Sequence, residues 1–121
     1  MNIIKKNFFK KRVLIIGHTG FKGSWLSLWL QMHGAKVIGI SNDIPTKPSN
    51  YKVSQVNNYL KNIKLDIRNL SKLKKTIKRL KPDFVFHLAA QALVKEAFLN
   101  PIKTWETNVL GTINVLESLK E

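Results

Sequence analysis

The feature that most constrains this chain is a set of glycines placed directly after a short apolar run. Residues 13–16 read Val-Leu-Ile-Ile, and Gly17, Gly20 and Gly23 follow at three-residue spacing. A short β-branched run without polar alternation is the pattern of a strand buried on both faces. Residues 24–33 then carry Trp25, Leu26, Leu28, Trp29, Leu30 and Met32, and Gly34 stands where a helix C′ residue would. Apolar residues wrap most of that helix, so it is expected to be heavily buried. A loop between strand and helix aims backbone N–H groups and the positive helix end at an anion. Gly17 is expected to permit the tight turn, Gly20 the approach of a phosphate, and Gly23 the packing of helix on strand. The spacing is GxxGxxG, and no Gly-Lys-Ser/Thr follows, which excludes a P-loop. Gly17, His18, Thr19, Gly20, Phe21, Lys22 and Gly23 are thus the candidate pyrophosphate site of a dinucleotide. Lys22 would help neutralise phosphate or simply face water.

The rest of the chain repeats the alternation. Residues 36–41 form a second expected strand, and residues 42–59 a long loop with Pro45 and Pro48, with room for a short helix. Residues 62–65 are the expected third strand. Leu70, Leu73, Ile77 and Leu80 recur at helical spacing until Pro82 closes the helix. Residues 83–87 form the fourth strand and residues 93–99 a short helix. Asn100-Pro101 opens the last helix as N-cap and N1, with Ile102, Trp105, Val109, Ile113 and Leu116 as its expected buried stripe. Trp25, Trp29 and Trp105 are read as core. Buried strands alternating with helices predict an α/β, Rossmann-type doubly wound parallel sheet with strand order 3-2-1-4. Residues 1–121 are read as one partial domain of that kind, cut before the later strands and the substrate domain. The last strand would lack its outer neighbour, and an apolar edge of that kind predicts poor solubility.

Two acidic positions fit a dinucleotide. The second strand ends at Ser41, and Asp43 lies about 20 residues past Gly23, where such folds contact ribose hydroxyls. Asp43 equally suits a loop cap before Ile44-Pro45. Asp66-Ile67 follows the third strand, where Asp would accept from an adenine amine and Ile would pack on the ring; a helix N-terminal acid is the competing reading.

Composition narrows the partners. Without cysteine, disulfides, thiolate metal sites and cysteine nucleophiles are excluded, and the three histidines show no ligand spacing. The formal charge of +14 raises a nucleic-acid partner, but Lys72, Lys74, Lys75, Lys78, Arg79 and Lys81 fall on the polar side of one amphipathic segment. No nucleic-acid partner, no membrane partner and a cytoplasmic location are expected. The basic residues 1–12 precede an apolar run too short for a signal peptide.

Several stretches together carry a resemblance. They are GHTGFKGSWLSLWL from Gly17 to Leu30, Asp43-Ile-Pro-Thr-Lys-Pro-Ser49, Asp66-Ile-Arg68, Phe86-His-Leu-Ala-Ala-Gln91 and Thr107-Asn-Val-Leu-Gly-Thr112. In order and spacing, from about Phe9 onward, the chain resembles the CDP-glucose 4,6-dehydratases. These belong to the extended short-chain dehydrogenase/reductases, the NAD-dependent epimerase/dehydratase family. The glycines and the DI, HLAA and TNxxGT elements are common to the wider family; HTGFKGSWLSLWL and the DxPTxPS loop narrow it. Ile16, Ala92 and Lys95 depart from the usual Thr, Pro and Arg.

The resemblance implies NAD on Gly17–Gly23, adenine between Asp66 and Ile67, and the nicotinamide-side ribose along Leu88, Ala89, Ala90 and Gln91, with Thr107 touching the cofactor. It implies an internal redox dehydration of CDP-glucose to CDP-4-keto-6-deoxyglucose, in a homo-oligomeric parent. It also implies a Tyr-x-x-x-Lys pair, which this chain lacks: Tyr51 precedes Gln55 and Tyr59 precedes Ile63 at that spacing. The chain alone is therefore expected to be an inactive, truncated N-terminal part. A nucleotide-sugar epimerase or reductase, and a non-catalytic NAD-binding fragment, remain the alternatives. His87 is read as a structural histidine and Asn108 as a possible backbone hydrogen-bonder.

Overall fold

The computed structural model describes residues 3–120. Strand β1 (Arg12–Ile16) is central, β2 (Lys36–Ser41) and β4 (Phe84–His87) flank it, and β3 (Lys61–Lys64) pairs with β2. All three pairings are parallel, in the order β3-β2-β1-β4 expected from the alternation. Helix α1 (Ile3–Phe8) precedes the sheet and α2 (Phe21–Met32) joins β1 to β2. A short α3 (Asn50–Val53) and a 3-10 turn lead to β3, and α4 (Leu70–Leu80) joins β3 to β4. Helices α5 (Val94–Leu99), α6 (Pro101–Trp105) and α7 (Gly111–Ser118) follow, with a π-helical turn at Glu106–Leu110 between the last two.

Side chains alternate across a strand, and β1 divides its residues accordingly. Leu14 and Ile16 join Ile40, Leu65, Ile67, Leu73, Ile77, Leu80 and Val115 on the α4–α7 side. Val13 and Ile15 join Leu30, Ala35 and Val37 on the α2 side. Val13, Leu14, Ile15 and Ile16 are fully buried, as a strand covered on both faces requires, and only Arg12 at the start of β1 is exposed.

Helix α1 was not legible as an element. Phe8 holds it to the sheet, its ring 4.8 Å from Phe84 and 6.3 Å from Phe86. Phe9 lies against Gly34, whose φ of +81° suits the helix end and where a Cβ would come within 2.5 Å of the ring.

Two expectations about helix faces are corrected. Helix α2 starts at Phe21, not at residue 24, and buries Gly23, Ser24, Ser27 and Leu30. Trp25 and Trp29 are 53% and 46% exposed, and Met32 is exposed too. The helix lies too close to β1 and the following loop for large side chains between them, so the small residues face inward. The buried serines satisfy their hydroxyls on the helix's own carbonyls, Ser24 on Phe21 and Ser27 on Gly23. In the last helical stretch Gly111, Val115 and Ser118 face inward. Ile102, Trp105, Val109, Ile113 and Leu116 are exposed, Trp105 by 69%. Here too the tight approach, against Ile67 and α4, selects the small residues. Pro101 opens α6 as expected, but the Asn100 side chain bonds Glu96 instead of capping it.

Gly39 of β2 faces the α2 side beneath the His18 ring, and a Cβ there would lie 2.3 Å from it. Gly39→Ala must push a buried ring or a strand aside. It should lower unfolding free energy by about 1–3 kcal/mol, read from the midpoint of urea denaturation; an unchanged midpoint would remove this packing constraint.

Candidate functional site

The loop after β1 is built from glycines with separate duties. Gly17 has φ +94°, and a Cβ there would lie 2.6 Å from the Ala89 amide. Its amide donates to the Ile40 carbonyl at 2.7 Å, extending the sheet pairing by one residue. A Cβ at Gly23 would lie 2.2 Å from the Gly17 carbonyl oxygen, so the first turn of α2 rests directly on the loop. Gly20 differs: a Cβ there would meet nothing nearer than 3.5 Å. The chain's own packing does not require glycine at that position, and its open side is the loop mouth.

Gly20 is also the N-cap of α2, with no side-chain cap and no acid in the first turn. Ser49 and Asn69 cap α3 and α4 with their side chains. The first N–H groups of a helix have no intrahelical partner and carry the positive end of its dipole. Phe21 and Lys22 lie exposed beside them.

The two polar loop side chains turn inward. His18 is 1% exposed. Its Nε2 contacts Asn62 Oδ1 at 2.7 Å, and Tyr51 donates to the same oxygen at 2.6 Å. An amide oxygen only accepts, so Nε2 carries the proton. His18 therefore anchors the loop to β3 and α3, and only its backbone faces the mouth. The Thr19 hydroxyl donates to the Asp43 carbonyl at 2.6 Å, tying the segment after β2 to the glycine loop. Asp43 is exposed and Ser41 half-buried.

The corner after β3 alternates. Asp66 and Arg68 point outward, while Ile67 is 5% exposed and packs against Gly111. In an extended segment the Ile67 side chain takes the inward position, opposite Asp66 and Arg68. Arg68 occupies the Asp66 carboxylate, with Nη2 to Oδ2 at 2.6 Å, Nε to both oxygens at 3.1 Å and its amide to Oδ1 at 2.9 Å. These bonds hold Asp66 below the usual carboxylate range. Arg68 Nη1 also reaches Glu106 Oε2 at 3.4 Å. With Asn69, Leu70, Leu110 and Asn114 these residues line an open cleft.

Beyond β4, Leu88 and Ala90 are exposed and Ala89 packs on Gly17. The Gln91 backbone is clasped by Asn108, which accepts from its amide at 2.7 Å and donates to its carbonyl at 3.0 Å. The Gln91 side chain bonds Leu93 and Thr104, so it shapes its own loop. Thr107, half-buried, lies in the π-helical turn beside Asn108. The Thr112 hydroxyl donates to the Asn108 carbonyl at 2.7 Å and so accepts from His87 Nε2 at 2.9 Å. His87 is a packed histidine, as expected.

A family model described as GDP-mannose 4,6 dehydratase matches residues 14–121. The chain belongs to this dehydratase family. It is 48% identical over 120 residues to a CDP-glucose 4,6-dehydratase of Salmonella typhimurium, covering 98% of this chain and 33% of the relative. Among solved structures, an epimerase of Methanothermobacter thermautotrophicus superposes with TM-score 0.78 at 32% identity, covering 95% of this chain and 33% of the other. A UDP-glucose 4-epimerase of Thermus thermophilus, solved in complex with NAD, superposes with TM-score 0.75 at 30% identity, covering 88% and 33%. The chain spans about a third of the length of these relatives.

Within this dehydratase-family frame, the residues that sequence reading missed or left open are mainly asparagines. Asn62 joins His18 to Tyr51, Asn108 clasps Gln91, and Asn114 donates to the carbonyls of Ile67 and Arg68 at 3.0 and 3.2 Å. Each bridges segments far apart in the chain, and no periodicity signals that. Among the described residues no acidic, histidine or cysteine cluster could hold a metal ion, and no helix is long and apolar enough to cross a membrane.

Burial lowers the pKa of both His18 and His87 below 6.5; for His18 its bond to Asn62 opposes the shift only in part. The unfolded chain therefore binds more protons than the native one just below pH 6.5, and acid favours unfolding. Stability should be full above about pH 6.5 and fall from there toward pH 5, before the carboxylates titrate near pH 4. Urea midpoints between pH 5 and 7.5 check this, and a flat profile contradicts it.

Proposed function

We propose that this chain is the NAD-binding N-terminal portion of a nucleotide-sugar 4,6-dehydratase, with CDP-glucose as the parent's substrate. The observation that carries the cofactor reading is the contrast among the loop glycines. Gly17 and Gly23 are demanded by the chain's own atoms, whereas at Gly20 the chain demands nothing, and a ligand in the mouth would account for glycine there. The uncapped N-terminus of α2 supplies N–H donors and positive potential there, which suits a pyrophosphate.

The other contacts follow from placement. Asp43, exposed and tethered to Thr19, is better placed for ribose hydroxyls than half-buried Ser41. Asp66 is the acceptor for an adenine amine, and Ile67 takes part only through its backbone. Leu88, Ala89, Ala90 and Gln91, with Thr107, border the nicotinamide side. When bound, NAD would supply the hydride chemistry. This chain's residues would bind and orient it.

The CDP-glucose assignment rests on the 48% identity with the Salmonella typhimurium dehydratase. The exposed apolar stripe from Ile102 to Leu116 fits a homo-oligomeric parent, whose partner surface would cover it. The acid–base pair for the sugar is not supplied here. Tyr51 is buried, its hydroxyl is spent on Asn62, and burial raises its pKa, the opposite of what a catalytic phenolate needs.

Two outcomes are expected. Calorimetric titration of the 121-residue chain with NAD should show binding. Gly20→Ala should weaken it at least about tenfold while changing stability by under about 1 kcal/mol. Unaltered NAD affinity in that variant would sink the loop assignment. Incubated with NAD and CDP-glucose, the chain alone should form no 4-keto sugar; measurable turnover would overturn the catalytic reading.

A further inference from the structure

We propose that Arg68 is a positioning residue that sets how the Asp66 corner discriminates between nucleobases, with Glu106 as its alternative anchor. The inference rests on the cofactor reading above and goes beyond it. Both Asp66 oxygens already accept from Arg68, through Nε, Nη2 and the backbone amide. A carboxylate has about four acceptor directions, and three N–H groups of a single neighbour, with Nε shared between the two oxygens, take up most of them. An incoming adenine amine must therefore compete with a guanidinium for Asp66.

Arg68 has somewhere to go. Its Nη1 already lies 3.4 Å from Glu106 Oε2 across the same cleft. Glu106 sits at the start of the π-helical turn, one residue before Thr107. Asn114 bonds the Arg68 carbonyl, so the backbone stays while the side chain moves. Here Arg68 bonds both acids at once, and giving up either bond yields one of two arrangements of the corner. With Arg68 on Asp66 it presents N–H donors to the cleft. With Arg68 on Glu106 it presents carboxylate acceptors. Adenine offers an amine donor at its six-position and suits the second. Hypoxanthine offers a carbonyl at the same position and suits the first. Arg68 makes the corner tolerant of both, and without it only the carboxylate remains.

The test compares NAD with nicotinamide hypoxanthine dinucleotide by calorimetric titration of the full chain, in wild type and in Arg68→Met. Wild type should bind the two within about threefold of each other. Arg68→Met should favour NAD by at least about tenfold, as expected for one charge-assisted hydrogen bond gained and one lost. Arg68→Lys keeps the charge but not the fork, and should fall between them. Thermal melts of the variants should show a single cooperative transition with at most a small loss of stability, since the bonds of Arg68 to Asp66 and Glu106 lie at the surface. If both dinucleotides bind and the ratio is the same in Arg68→Met, the role given to Arg68 is wrong while the cofactor reading stands. If wild type binds neither, the cofactor reading fails and takes this one with it.

Discussion

The contact between the first turn of α2 and the Gly17 carbonyl organises the rest of the molecule. A side chain at position 23 would overlap that oxygen at 2.2 Å, so the helix can sit this low only because Gly23 has none. That seating aims the uncapped helix end at the carboxyl edge of the sheet. It brings Ser24 and Ser27 to full burial and leaves no space inside for Trp25 or Trp29. The same closeness sets Gly17 against the Ala89 amide, so the ends of β1 and β4 are held together at the loop mouth.

Polar side chains then fix the loops around that edge. Asn62 secures His18 and Tyr51, Thr19 secures Asp43, and Asn108 secures Gln91. In each case a partly buried group satisfies a donor or acceptor that loop backbone or a ring would otherwise leave unpaired. Such bonds contribute modestly when made and are costly to lose. They hold the loops at fixed spacing along that edge.

Among the described residues, two of the helical faces that carry apolar surface outward are long enough to form stripes. One runs along Phe21, Trp25 and Trp29 of α2, and the other along the stripe from Ile102 to Leu116. Both arise from one cause. Where a helix meets the sheet or another helix through glycine and small residues, its large residues are displaced to the far side. The charge is distributed differently: the lysines of α4 lie on its solvent face, while Leu73, Ile77 and Leu80 pack beneath.

Sequence by itself determined the alternation of strands and helices from β1 onward, the strand order, the two-sided burial of β1 and the demand for small residues in the loop that follows it. These follow from local rules: β-branched runs, helical spacing and the steric reach of a Cβ. The stripe of α4 was legible because its other face is almost wholly charged. The inward faces of α2 and α7 were decided only by tertiary structure. Periodicity locates apolar residues, but it does not report how closely two layers approach. Likewise the DIR segment marked the corner, yet not that Ile67 turns into the core or that Arg68 claims Asp66. Those outcomes depend on Gly111, Asn114 and Glu106, more than thirty residues away. Contacts across such separations exist only once the sheet has brought their elements together.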